Sequence, residues 1–237
     1  GEVVSGLAIA MDRTLDQALV LDIEAPATGS RGPDRYDVSV AVQTPEQGYF
    51  VLPNLALDSP LPGTAPLQLI GLPALVGSLE GAQYAVSVRA VTGLGGTMPE
   101  SVLPLIHARE ASQPIPVRGF VPVPTLSAGA NDQGTWSREL TATWTELGRG
   151  VDLVHYAISS GGGLITWSVA APPSAGPVQL PDLSRLPEVD ILPGNLDIVV
   201  SLAGLPDFDY GKLDLADLRR LAWQAYAMDR VATRYAR

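Results

Sequence analysis

The sequence predicts an all-β protein built as two consecutive modules of short strands. Three observations carry that expectation. Apolar residues alternate at period two through segment after segment, glycine (24) and proline (21) punctuate almost the whole chain, and a series of strand-like segments in the first half is echoed in the second. With 46% hydrophobic residues the chain has enough apolar surface to offset the entropy of ordering one or two cores. Its 237 residues make two domains of ordinary size the better starting expectation.

In the first half the alternating segments are residues 3–10, 18–24, 36–42, 49–52, 66–72, 83–91 and 102–108, each bounded by Gly, Pro, Asn or Asp. Seven strands in about 110 residues is the usual count for an immunoglobulin-like sandwich. The polar, Pro-containing stretch Glu110-Ala-Ser-Gln-Pro-Ile-Pro116 places a boundary between modules 1–112 and 113–237, and its shortness implies that the two sit close. A second series follows at residues 117–122, 139–144, 153–159, 164–170, 178–180 and 196–203.

The halves also resemble each other in sequence. Leu72-Pro-Ala-Leu75 matches Leu180-Pro-Asp-Leu183, and each is followed by a Leu-x-Gly turn that opens a strand, at Gln83 in one half and Leu196 in the other. A strand-built repeat of roughly 110 residues implies duplication of one module, not a solenoid. The run Leu79-Glu-Gly-Ala-Gln-Tyr84-Ala-Val-Ser-Val-Arg-Ala-Val91 resembles the penultimate strand of a fibronectin type III domain, and Leu140-Thr-Ala-Thr-Trp144 resembles that family's second strand with its buried tryptophan. Each half carries one of the two marks: Val20 and Leu21 stand where the first would need tryptophan, and Leu196 where the second would need tyrosine. The resemblance implies a scaffold for adhesion, spacing and binding, with no particular ligand.

The last thirty residues break the pattern. Leu215, Leu218, Leu221, Ala225, Met228, Ala232 and Tyr235 recur at three- and four-residue steps, with Asp214 and Asp217 ahead of Arg219 and Arg220, the polarity a helix dipole prefers. This favours a short helix from about Asp214 leading into a final strand within 225–235, the alternative being one continuous helix.

Charge and composition narrow the functional classes. The net charge of −10, with Lys212 the only lysine, disfavours nucleic acid and anionic lipid as partners. No cysteine is present, which removes disulfides, zinc-thiolate sites and cysteine nucleophiles together. No stretch approaches the ~18 apolar residues of a membrane span. The start Gly1-Glu-Val-Val lacks the regions of a signal peptide, so export would require a leader, or a lipid anchor, upstream of residue 1.

Catalytic sets are not evident. No Gly-x-Ser-x-Gly occurs, and His107 and His155 stand in separate predicted strands of separate modules. Ser159-Ser-Gly-Gly-Gly163 and Gly93-Leu-Gly-Gly96 lie between strands and lack a phosphate-binding lysine, so both read as turns. Asp207, Asp209 and Asp214, spaced around Gly211 ahead of the predicted helix, form the one candidate metal set, for calcium, although the third loop acid and closing glutamate of a calcium-binding hand are missing. Trp136 and Trp223 are candidate ligand-binding rings, because Trp144 and Trp167 lie in alternating strands where core packing is expected.

The sequence therefore reads as a non-catalytic bacterial protein of the cell surface, extracellular space or cell envelope. Its expected role is that of a structural spacer and protein-interaction module that meets other chains or copies of itself. The rivals are a carbohydrate-binding module using Trp136, Trp223 or tyrosines such as Tyr49 and Tyr210, and an unrecognised hydrolase.

Overall fold

The computed structural model describes residues 15–27, 32–45, 48–52, 57–61, 66–93, 97–130, 136–145, 150–160, 166–180, 194–214, 216–220 and 223–235. The fold is all-β. The strands of the first half are β1 (Gln17–Ile23), β2 (Arg35–Thr44), β3 (Gly48–Val51), β4 (Leu57–Pro60), β5 (Leu67–Leu72), β6 (Gln83–Thr92), β7 (Thr97–Ala108) and β8 (Ile115–Val117). Those of the second are β9 (Thr125–Ala130), β10 (Trp136–Thr143), β11 (Leu153–Ser160), β12 (Thr166–Ala171), β13 (Val178–Gln179), β14 (Gly194–Gly204) and β15 (Ala225–Tyr235). The expected strand at 3–10, residues 94–96, the glycines 161–163, and Leu183 lie outside the described residues.

One pairing scheme recurs in both halves, as the sequence repeat implies. In the first, β1 pairs with β5, β2 with β6 and β6 with β7, all antiparallel. In the second, β10 pairs with β13, β11 with β14 and β14 with β15, again antiparallel. The two small sheets run β5-β1-β8 and β13-β10-β9, while the remaining strands join one nine-stranded sheet in the order β12-β11-β14-β15-β7-β6-β2-β3, with β4 also on β2.

Period-two alternation explains the core. β2 buries Tyr36, Val38, Val40 and Val42 and turns the residues between them outward, and β6 opposes them in register with Ala90, Val88, Val86 and Tyr84. Leu19, Leu21, Leu69 and Leu72 of the facing small sheet close the first half, at about 1.5–3 kcal/mol for each fully buried aliphatic side chain. In the second half Leu140 and Leu126 meet Tyr156, Ile158, Ile198, Val200 and Leu202 in the same way, and all of these belong to one continuous apolar cluster. At the turn before β6 the Tyr84 hydroxyl donates to the Pro73 carbonyl at 2.6 Å, tying the start of that strand to the preceding corner. Trp144 falls just past β10 and is only half-buried against the core.

The halves join where β15 pairs with β7: Tyr226 faces Val102, Ala227 faces Ser101 and Met228 faces Glu100. Polar groups are buried at this seam, and each has a partner. Arg89 binds the Glu100 carboxylate at 2.7 Å and Asp37 at 3.0 Å. The Ser101 hydroxyl donates to the Val121 carbonyl at 2.7 Å, and the Asp229 carboxylate accepts from the Leu126 N–H at 3.2 Å. Buried groups with such directional demands fix register, because a slipped pairing would strand them.

Two expectations about order along the chain change. The segment 117–122 is not a strand beyond Val117. β8 instead pairs parallel with β1, so residues past the expected boundary sit in the first half's small sheet, and Phe120, Val121 and Val123 are buried as the chain crosses over. The helix expected from Asp214 is replaced, among the described residues, by tight turns: a 3-10 turn at Tyr210–Lys212 and a turn at 216–219. The expected final strand is β15. Flanked by β14 along its length and by β7 at one end, its backbone finds partners that a helix would forgo, and extended pairing prevails over three- and four-residue spacing.

Candidate functional site

Of the three aspartates of the expected calcium set, Asp209 and Asp214 are turned to their own backbone. Asp207 occupies a left-handed turn position at φ 49°. Asp209 caps the 3-10 turn, accepting from the Gly211 N–H at 3.0 Å while its other oxygen lies 3.2 Å from Lys212. Asp214 accepts from the N–H groups of Ala216 and Asp217, and its own N–H donates to the Asp217 carboxylate at 3.0 Å, a reciprocal cap closed around one turn. Among the described residues no three His, Asp or Glu side chains gather into a metal group. Asp209 and Asp214 each satisfy a nearby N–H, and the acids do not gather around one point.

Trp223, expected as an exposed binding ring, is 3% exposed. It sits with Leu153, Ala203 and Leu205 on the outer face of the large sheet, edge-on to His155 and Tyr226, and its indole N–H donates to the Asp217 carbonyl at 2.7 Å. With it pack Phe208, Leu213 and Leu218 of the preceding turns, and its face is not open to a sugar. Trp136 is the first residue of β10, and its side chain lies outside the described residues. Tyr210 is exposed, with its hydroxyl donating to the Ala170 carbonyl.

His155 and Ser168 stand on adjacent strands with Nε2 and Oγ 2.7 Å apart, a pair that sequence separation conceals. Burial and the nearby Arg220 charge hold the imidazole below its usual pKa, so it is neutral at neutral pH. A serine nucleophile needs an orienting acid as well as a base. Among the described residues no carboxylate hydrogen-bonds to His155, so the pair stands as a hydrogen-bonded strand histidine. His107, on β7, is exposed.

A concavity opens where β15 and β7 part. β15 follows β7 only as far as Val102, after which Trp223 draws the preceding chain into its own cluster. The second half of β7 keeps β6 on one side and has no described strand on the other. The resulting groove, about 730 Å³, has Leu103, Pro104, Leu105 and Ile106 from β7, Tyr49 from β3, Pro116 and Arg118 from the β8 region, and Arg220, Trp223 and Gln224 from the last turn. Leu105 and Tyr49 are exposed, at 45% and 53%.

The charged residues of the groove's described lining are cationic, although two carboxylates just outside it pair with one of them. No Asp or Glu is among its described lining residues, and both charged members are arginines. Arg118 is engaged by Asp22 at 2.7 Å and Glu24 at 3.2 Å. Arg220 has no carboxylate partner among the described residues and lies 5.8 Å from the Tyr226 ring centroid. Sequence reading singled out Tyr49 and Trp223 but not the site, because its walls come from four stretches of chain that only the fold brings together.

Compared with protein-family models and with curated proteins, the chain matches none. Among the described residues no helix is long and apolar enough to cross a membrane.

Proposed function

We propose that this chain is a non-catalytic part of an extracellular or cell-envelope protein, in which two fibronectin type III-like sandwiches act as one rigid spacer and protein-interaction module. The observation that carries the reading is the β15–β7 pairing, through which one sheet and one apolar cluster run across both halves. A flexible pair of domains would have a solvated linker and two separate cores. The recurring strand-pairing scheme and the Tyr84 hydroxyl bond at the corner before β6 support the sandwich assignment. The acidic, cysteine-free, Gly- and Pro-rich composition supports a surface or exported setting.

The absence of cysteine makes a clean test available. Spin labels on Ser39→Cys in β2 and Ala157→Cys in β11, both at exposed positions, report the distance between the halves by pulsed electron resonance. A rigid spacer gives one narrow distribution. A broad one overturns the reading.

A further inference from the structure

We infer that the groove beside the open half of β7 is a docking site for an extended, acidic peptide segment of a partner protein, which adds to β7 as a strand. This deepens the interaction-module reading and rests on it.

Three observations converge. The backbone of β7 beyond Val102 is paired by β6 on one side, and no described strand covers the other. Unpaired edge groups are the template that an extended peptide uses, main-chain bonds supplying affinity and alternate side chains specificity. Next, a chain with net charge −10 presents here a groove whose described lining holds two arginines and no acid. Charge of one sign focused in an apolar cleft selects partners of the other, and Arg220, unlike Arg118, is not already engaged by a carboxylate among the described residues.

Finally, the walls offer aliphatic contact from Leu103, Leu105 and Ile106, with Tyr49 half-exposed across the opening. A strand of alternating acidic and apolar residues satisfies both the guanidinium and the aliphatic wall. The one tryptophan here is buried, so a saccharide would have only the Tyr49 ring to stack on, whereas the aliphatic wall and the arginine suit a strand. Pro104 lacks an N–H, so it interrupts the ladder at one position and restricts the registers in which a partner strand can add.

The test uses the full chain and three fluorescent probes: an alternating Glu-Val heptapeptide, its Lys-Val counterpart and an oligogalacturonate. Anisotropy at low ionic strength should give the Glu-Val peptide an affinity at least about tenfold above the Lys-Val peptide, because the field at the groove favours one sign. Arg220→Glu should weaken Glu-Val binding about fivefold or more, while Lys212→Glu, an equal charge change at a residue outside the groove lining, should move it less than about twofold. Saturation with peptide should slow amide exchange within 105–108 at the alternate residues whose N–H groups point away from β6.

Equal binding of the two peptides, indifference to Arg220→Glu, or oligogalacturonate binding without peptide binding would overturn the proposal. So would concentration-dependent protection of these amides without peptide, since a second copy would then fill the groove. None of these results touches the label distance between the halves, so the rigid-module reading stands or falls separately.

Discussion

The two ends of β7 form a controlled comparison within one strand. At Glu100, Ser101 and Val102 it is zipped to β15 and buried, with Glu100 held by Arg89 of β6 and Ser101 by the Val121 carbonyl. From Leu103 onward the same strand keeps β6 but loses β15, and its outer side becomes a groove with Leu105 exposed. Two things change at that point: β7 itself is bulged between Leu103 and Ile106, where Pro104 lacks an N–H, and Trp223 anchors the approaching chain to another cluster, so that β15 joins β7 only after that anchor. Both mark where described pairing on this side of β7 ends.

Removing that anchor should have the largest effect. Trp223→Ala empties a buried site and frees the Asp217 carbonyl, and should cost about 3–5 kcal/mol in chemical denaturation. If 205–224 is held chiefly by other contacts, the loss will be well below that range. Next, Arg89→Leu leaves the Glu100 carboxylate buried with its ion pair gone, a loss on the order of 2–3 kcal/mol, discounted because the Arg89 side chain is 36% exposed. Adding Glu100→Leu should recover most of it in a double-mutant cycle. Additive losses would mean that the pair does not act as a unit.

Smaller again, Asp229→Ala strands the buried Leu126 N–H and should cost about 1–2 kcal/mol, while Asp229→Asn, which retains an acceptor, should cost less. A reversed order of these two variants would show that charge, not the hydrogen bond, matters at that position.

The smallest effect is in pH. Because the folded pKa of His155 lies below its unfolded value, the unfolded state binds the extra proton first as pH falls. Stability is therefore fully present above about pH 6.5 and declines as pH drops from there toward the folded pKa. His155→Phe should flatten that part of the stability profile. An unchanged slope would assign it to other groups.

These contrasts show where sequence was sufficient. The alternation of Val38, Val40 and Val42, or of Ile198, Val200 and Leu202, is enforced by a two-sided environment and announces strand and face directly. The recurrence of one pairing scheme in the two halves accompanies the sequence repeat ahead of Gln83 and Leu196. The helix was misread because Leu218 and Ala225 serve different surfaces: Leu218 packs beside the Trp223 cluster, whereas Ala225 enters β15 and the main apolar cluster. A three- and four-residue spacing cannot reveal that two elements share it. The aspartates of the expected calcium set do not gather among the described residues for a related reason, since Asp209 and Asp214 satisfy local N–H groups that any tight turn exposes. The groove was invisible because Tyr49, Leu105, Arg118 and Arg220 meet only once β7 and β15 have paired and then parted.

The central claim is that pairing itself, and a crosslink tests it most directly. In this cysteine-free chain, Ser101→Cys with Ala227→Cys places thiols on directly opposite residues of β7 and β15, side chains on the same face. Val102→Cys with Ala227→Cys shifts the register by one and puts them on opposite faces. The account predicts that mild oxidation closes an intramolecular disulfide in the first variant, seen as a joined peptide in a proteolytic map, and not in the second. Closure in the shifted variant alone, or equal closure in both, would contradict the seam that makes the two halves one body.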